Sequence, residues 1–147
     1  MTEWSAALEA VELTLSGHHE LGEKALRECW SNTRSSEHAQ RCVIAHYLAD
    51  LQLDIAAEVE WDERALAEFA HVSDADLASI GVPSAKGFAP SLHLNAGDGC
   101  LRIGRLDEAW AHLEAGELAL QVVERDGYLQ FIELGLQRLR QRLEDRA

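Results

Sequence analysis

Apolar residues recur at steps of three and four along nearly the whole chain, the period of a helix with one buried face. Trp4, Ala7, Leu8, Val11 and Leu15 share the inward face of a helix predicted over residues 3–16, and Gly17 ends it. A second helix, 19–33, is expected to bury Leu21, Ala25, Leu26, Cys29 and Trp30. Ser35 and Ser36 offer N-caps for a third, 36–52, with Val43, Ala45, Leu48 and Ala49 inward. Asp54 offers a cap for a fourth, 55–70, with Ala57, Trp61, Ala65, Leu66 and Phe69 inward. The period lapses over residues 71–89, where a short helix behind Ser73 is followed by Gly81, Pro83 and Gly87. It resumes over 90–103 and 106–124. The Asp126-Gly127 turn then opens a last helix, 128–145, which buries Phe131, Leu134, Leu136 and Leu139 in part. The only prolines, Pro83 and Pro90, lie where the period fails, so the fold class is all-α.

Residues 92–116, LHLNAGDGCLRIGRLDEAWAHLEAG, specify a helix hairpin through their small residues. Gly97 leaves room for a second helix, Gly104 ends the first, and Ala109 and Leu113 supply the facing contacts. These intervals resemble the tetratricopeptide repeat. Trp4, Ala7, Leu8 and Val11 repeat the early part of the motif, and Ala45, Ala57 and Trp61 the later part. RCVIAHYLADLQ, WDERAL and PSLHLNAGD are also similar to small uncharacterised bacterial proteins of that superfamily. The resemblance implies an α-α superhelix of three hairpins, about 2–34, 36–70 and 90–124. An insert over 71–89 and a capping helix over 127–145 complete one domain. GHHELGEKAL lengthens the turn of the first hairpin by two residues before Ala25, and the insert departs from regular stacking. The resemblance further implies that the first, third and sixth helices line a concave surface. Glu9, Glu12, Cys42, His46, Asp50, Leu94, Asp98, Leu101 and Arg102 then face the groove, with Tyr47 beside His46 as a further contact.

At 147 residues the chain is long enough to bury roughly 68% of its unfolded surface without staples. Cys29, Cys42 and Cys100 lack CxxC spacing and suit buried thiols in a reducing compartment. The acidic start, MTEWSAALEAVE, is not a signal peptide, and no apolar run reaches membrane-spanning length, so a soluble cytoplasmic protein is expected. A formal charge of −13 repels phosphate backbones and excludes nucleic acid as a natural partner. Arg138, Arg140, Arg142 and Arg146 complement the dipole at the end of the last helix.

His38, Cys42, His46 and Asp50 recur every four residues on one helix face, and all three side-chain types are competent metal ligands. A straight helix spreads them over about 18 Å, so only adjacent pairs could share an ion, with His93 and Asp98 as further donors. A polar groove stripe with a buried cysteine is the plainer reading. Cys42 with His46 as base and Asp50 or Asp98 behind it outlines a nucleophile, without an oxyanion hole. Trp4, Trp30, Trp61 and Trp110 read as packing residues, His18-His19-Glu20 as a solvated turn, and Gly97 and Gly99 as helix close approach.

The sequence therefore predicts a non-enzymatic module, without cofactor, whose acidic groove takes a protein or peptide segment, with cationic segments favoured by its charge. The alternative is a small-molecule or metal-dependent activity on the His38, Cys42, His46 and Asp50 face. Ile132, Leu136 and Leu143 exceed what one helix face buries easily, which predicts a homodimer pairing Arg138 and Arg142 with Glu133 or Glu144 of a second copy. A third possibility is a groove filled by residues 71–89 or by that second copy.

Overall fold

Eight α-helices and no strands make up the described part of the chain: α1 Ser5–Leu15, α2 His19–Asn32, α3 His38–Asp50, α4 Ile55–Phe69, α5 Asp74–Ala78, α6 Ala89–Arg102, α7 Leu106–Gln121 and α8 Gly127–Glu144. A 3₁₀ turn, Ala85–Phe88, leads into α6. This computed structural model describes residues 4–82, 85–124 and 126–146. Pro83, read above as a helix breaker, lies outside the described residues, as do residues 2 and 3 of the first expected hairpin.

Local chemistry accounts for most boundaries. The Asp54 carboxylate accepts the Ala57 N–H at 3.2 Å, and the Asp126 carboxylate accepts the Leu129 N–H at 2.9 Å, satisfying otherwise unpaired first-turn donors. Ser73 and Asp76 form a reciprocal capping box at the start of α5. Gly17 and Gly104 close α1 and α6 with φ of +91° and +81°, in the left-handed region that side chains avoid. The caps expected at Ser35 and Ser36 do not form. Glu37 occupies the N-cap position of α3, and its carboxylate turns back to accept the Arg34 N–H at 2.7 Å.

The helices associate as three antiparallel hairpins, α1/α2, α3/α4 and α6/α7. Both α1 and α2 meet α3, α4 meets α6, and α8 lies across α6 and α7. Two apolar cores result. One gathers α1 to α4 with the connection after α4, through Leu26, Ile44, Leu48, Trp61, Leu77 and Ala85. The other gathers α6 to α8 around Leu101, Leu113, Leu136, Leu139 and Leu143, and takes Val59 from α4. Helix α4 thus serves both cores. Residues 71–89 supply Val72, Leu77, Ile80, Val82 and Phe88 to the first core, so they are part of its wall.

Some expected faces are rotated. Leu8, Leu15 and Leu21 are exposed, and α1 instead turns Trp4, Ala7, Ala10, Val11 and Thr14 inward. The cause is a close crossing: a Cβ on Gly22 would meet the Thr14 side chain and come 3.1 Å from its Cα, which draws that edge of α1 onto α2. On α8, Phe131 and Leu134 are exposed while Leu129, Ile132, Leu136, Leu139 and Leu143 are buried. The homodimer surface drawn from Ile132, Leu136 and Leu143 is therefore corrected. These residues form one stripe at helical spacing, and α6 and α7 cover it within a single chain.

Candidate functional site

The structure divides the expected groove residues into three groups. Cys42 and Leu101 are buried, at 5% and 2% exposure, and present nothing to a ligand. Burial, reinforced by Glu68, pushes the Cys42 thiol up to about 12, so the thiolate that a nucleophile requires is suppressed. Glu9 and Glu12 are exposed on α1, outside the linings of the clefts that hold His46, Tyr47, Leu94 and Asp98. His46, Tyr47, Asp50, Leu94, Asp98 and Arg102 remain, and these do border hollows or meet around a shared polar cluster.

His46 and Tyr47 line a cleft of about 720 Å³. Its walls are Leu8 and Val11 of α1, Val43 of α3, Ile80, Val82 and Phe88 of the connection, and Tyr128 and Leu129 at the start of α8. A mostly apolar hollow of this size with a few convergent polar groups has the character of a binding site. His46 Nδ1 is buried without a hydrogen-bond partner, an uncommon state for a ring nitrogen. Burial lowers the His46 pKa against the opposing field of Asp50, so the imidazole is neutral. Burial, with Asp50 and Tyr128, raises the Tyr47 phenol and keeps its hydroxyl protonated.

One turn beyond His46 the cleft gives way to a cluster of acids. Asp50 has an exposed edge, yet the protein around its carboxyl raises its pKa by desolvation. Asp62 of α4 is 4% exposed, and burial, then Glu58 and Asp50, push it up to about 8 in spite of Arg102. Two other acids of the cluster are already balanced. Arg102 bonds Glu58 and also Asp98 at 2.9 Å, and Arg142 of α8 bonds the other oxygen of Asp98. Asp98 is thus less available to a partner than its position suggested, while Asp50 and Asp62 have no cationic side chain within ion-pair distance among the described residues. Leu94 and Asp98 border a shallower hollow with Phe131, Gly135 and Arg138.

The four-residue face on α3 does not act as a unit. His38 Nδ1 is 2.6 Å from Glu68, whose other oxygen accepts from Arg41 at 2.9 Å, and the ring stacks on His71. Cys42 is sealed in the core, and of the four only His46 lines the cleft. A polar hollow of about 750 Å³ at the start of α3 is lined by His38, His71, Glu37 and Arg34, groups engaged with their neighbours. Trp30 and Trp61 meet edge to face at 5.1 Å, and Trp4 and Trp61 are buried, in packing roles.

Asp62 is the site residue that the sequence reading passed over. Its signal is visible: Ile55, Val59, Asp62 and Leu66 share one helical face, so an acid stands where the pattern calls for an apolar residue. No family model, curated protein or solved structure matches the chain. No helix among the described residues is long and apolar enough to cross a membrane.

Proposed function

We propose that this chain is a tetratricopeptide-like binding module whose ligand is a peptide segment pairing an apolar side chain with a neighbouring cationic one. The apolar side chain enters the cleft beside His46 and Tyr47, and the cation meets exposed Asp50, within the field of the buried Asp62 carboxyl behind it. Three stacked hairpins with α8 across the last are compatible with a short superhelix, whose inner face characteristically receives extended segments. The observation that carries the reading is the state of Asp62: a buried carboxyl with no cationic side chain at ion-pair distance among the described residues, acted on by Asp50, whose field also reaches Tyr47 in the cleft wall. A ligand cation there supplies the charge that the fold withholds, and the hollow supplies area and shape.

A randomised peptide library displayed on phage and selected against the immobilised protein tests this reading. Selected peptides should carry Lys or Arg within a residue or two of a large apolar residue. Their affinity should fall about tenfold or more with Asp50→Asn, and fall as salt rises. Selection that yields no such pattern, or binding indifferent to Asp50→Asn and to Tyr47→Ala, places the function elsewhere.

A further inference from the structure

On the face of α6 turned toward α7, a different set of side chains converges from three helices. Cys100 of α6 is a free thiol, wholly buried, and no hydrogen bond holds it among the described residues. Its Sγ and one carboxylate oxygen each from Glu63 of α4 and Glu108 of α7 lie within 4.8 Å of one another. A buried cysteine ordinarily faces hydrocarbon; this one faces two acids, and burial with the charges of Glu108 and Glu63 pushes its thiol up to about 11 while no metal cation stands between them. His112 stands one turn after Glu108 on the same face of α7, where the charges of both glutamates bear on its ring. Its Nδ1 is 3.2 Å from Nδ1 of His93, so the ring is engaged with a neighbour beside the cluster.

We propose that Glu63, Cys100 and Glu108 form a divalent-metal site, with zinc as the ion that fits this mixture of sulfur and oxygen donors and water as its fourth ligand. Zinc accepts both donor types in four-coordinate geometry, with bonds of about 2.0–2.3 Å that set neighbouring ligand atoms about 3.3–3.8 Å apart. Rotation of the two glutamate side chains closes the remaining gap. Both are half-exposed, at 44% and 54%, so they can move and the ion has a route from solvent. When the metal–sulfur bond forms, the Cys100 S–H bond breaks and its proton passes to solvent, with no change of oxidation state.

Arg105 is the competitor. Its guanidinium lies 3.4 Å from Glu63 and 3.9 Å from Glu108, balancing both carboxylates from the solvent side. An entering dication displaces it. The site therefore differs from an ordinary surface ion pair in a testable way: removing the native cation should strengthen metal binding.

Protein freed of metal by a chelator is titrated with Co(II), then challenged with Zn(II). One equivalent of Co(II) should produce a thiolate-to-cobalt charge-transfer band, and Zn(II) should abolish it. Glu63→Gln with Glu108→Gln should weaken Co(II) binding by at least the roughly 10–100-fold that even outer-shell changes cost. Arg105→Gln should tighten it, and Cys100→Ser should remove the band. Since Cys100→Ser alters a core position, the exposed glutamate and arginine variants, checked for helicity by circular dichroism, keep the test decisive. Absence of the band, a band unchanged by the double glutamate variant, or one that follows Cys29 or Cys42 overturns the proposal.

Discussion

Gly99 of α6 faces Asp62 of α4 across the seam between the two cores: a Cβ on the glycine would stand 3.9 Å from Asp62 Oδ2 and 2.7 Å from Val59 Cγ2. The missing side chain lets α6 approach α4 closely enough to enclose the Asp62 carboxyl. Gly99→Ala gains about 1 kcal/mol of helix propensity but overpacks against buried Val59, which costs about 1–3 kcal/mol. The expected net result is a lower urea midpoint with an unchanged slope. Gly97→Leu should cost more, since its Cβ already stands 2.9 Å from Leu139 and 3.3 Å from His112. An unaltered midpoint in both variants would show that the helices do not meet at these positions.

Asp62 gives the folded state a definite pH signature. Its proton is retained to about pH 8, whereas an aspartate in the unfolded chain releases its own near the ordinary value of 3.8. The native state binds more protons between these limits, so this residue lowers stability as pH rises from about 4 to about 8 and adds no slope beyond. Asp62→Asn removes that contribution. The variant's stability advantage should widen by a few kcal/mol between about pH 5 and pH 9. Urea titrations of both proteins across that range are the check, and parallel profiles would mean that Asp62 ionises normally.

The same residue should tie ligand binding to protons. Asp50 from α3, Glu58 on its own helix, and Asp98 and Arg102 from α6 all act on Asp62, and the acids outweigh the single arginine. A bound cation favours the ionised form, so a selected basic peptide should release a proton at pH 7 and bind more tightly as pH rises. The gain should approach tenfold per pH unit at most, level off above about pH 8, and vanish in Asp62→Asn. Calorimetry in buffers of different ionisation heat measures the release directly.

Glu68 should behave in the opposite sense. Burial alone would raise its pKa, but hydrogen bonds from Arg41 and His38 outweigh burial and bring it below the usual glutamate value. Its contribution is present above the unfolded pKa and is lost as pH falls through the lowered folded one. Glu68→Gln should therefore cost about 1–2 kcal/mol near pH 7 and progressively less in acid. Equal cost at both ends of the range would point to packing in place of charge.

Much of the fold was legible because it rests on local rules. The caps at Asp54, Ser73 and Asp126 lie within three residues of the N–H groups they accept. Gly17 and Gly104 stand at helix ends where positive φ is needed. His46, Tyr47 and Asp50 were placed together because helical spacing alone puts them on neighbouring faces of α3. The errors came where spacing allows two faces and packing selects one. Leu8, Leu15, Leu21, Phe131 and Leu134 fit an apolar stripe as well as the residues that displaced them. The state of Cys42 was likewise open, since four-residue spacing does not distinguish a groove lining from a core position.

The sequence by itself determined an all-helical chain, its turns and most of its boundaries, because hydrogen bonds between residues three or four apart and glycine conformations act over short distances. Only the tertiary structure decided which carboxylates are balanced and which are left charged or protonated. Arg102 reaches Glu58, 44 residues away, and Arg142 reaches Asp98 across an equal separation, while Asp50 and Asp62 find no such partner among the described residues. Only packing likewise brings Glu63, Cys100 and Glu108 within 4.8 Å of one another from three helices. Electrostatics and burial depend on distances through space, and a periodic pattern along the chain records which face a residue occupies without recording what another helix brings to meet it.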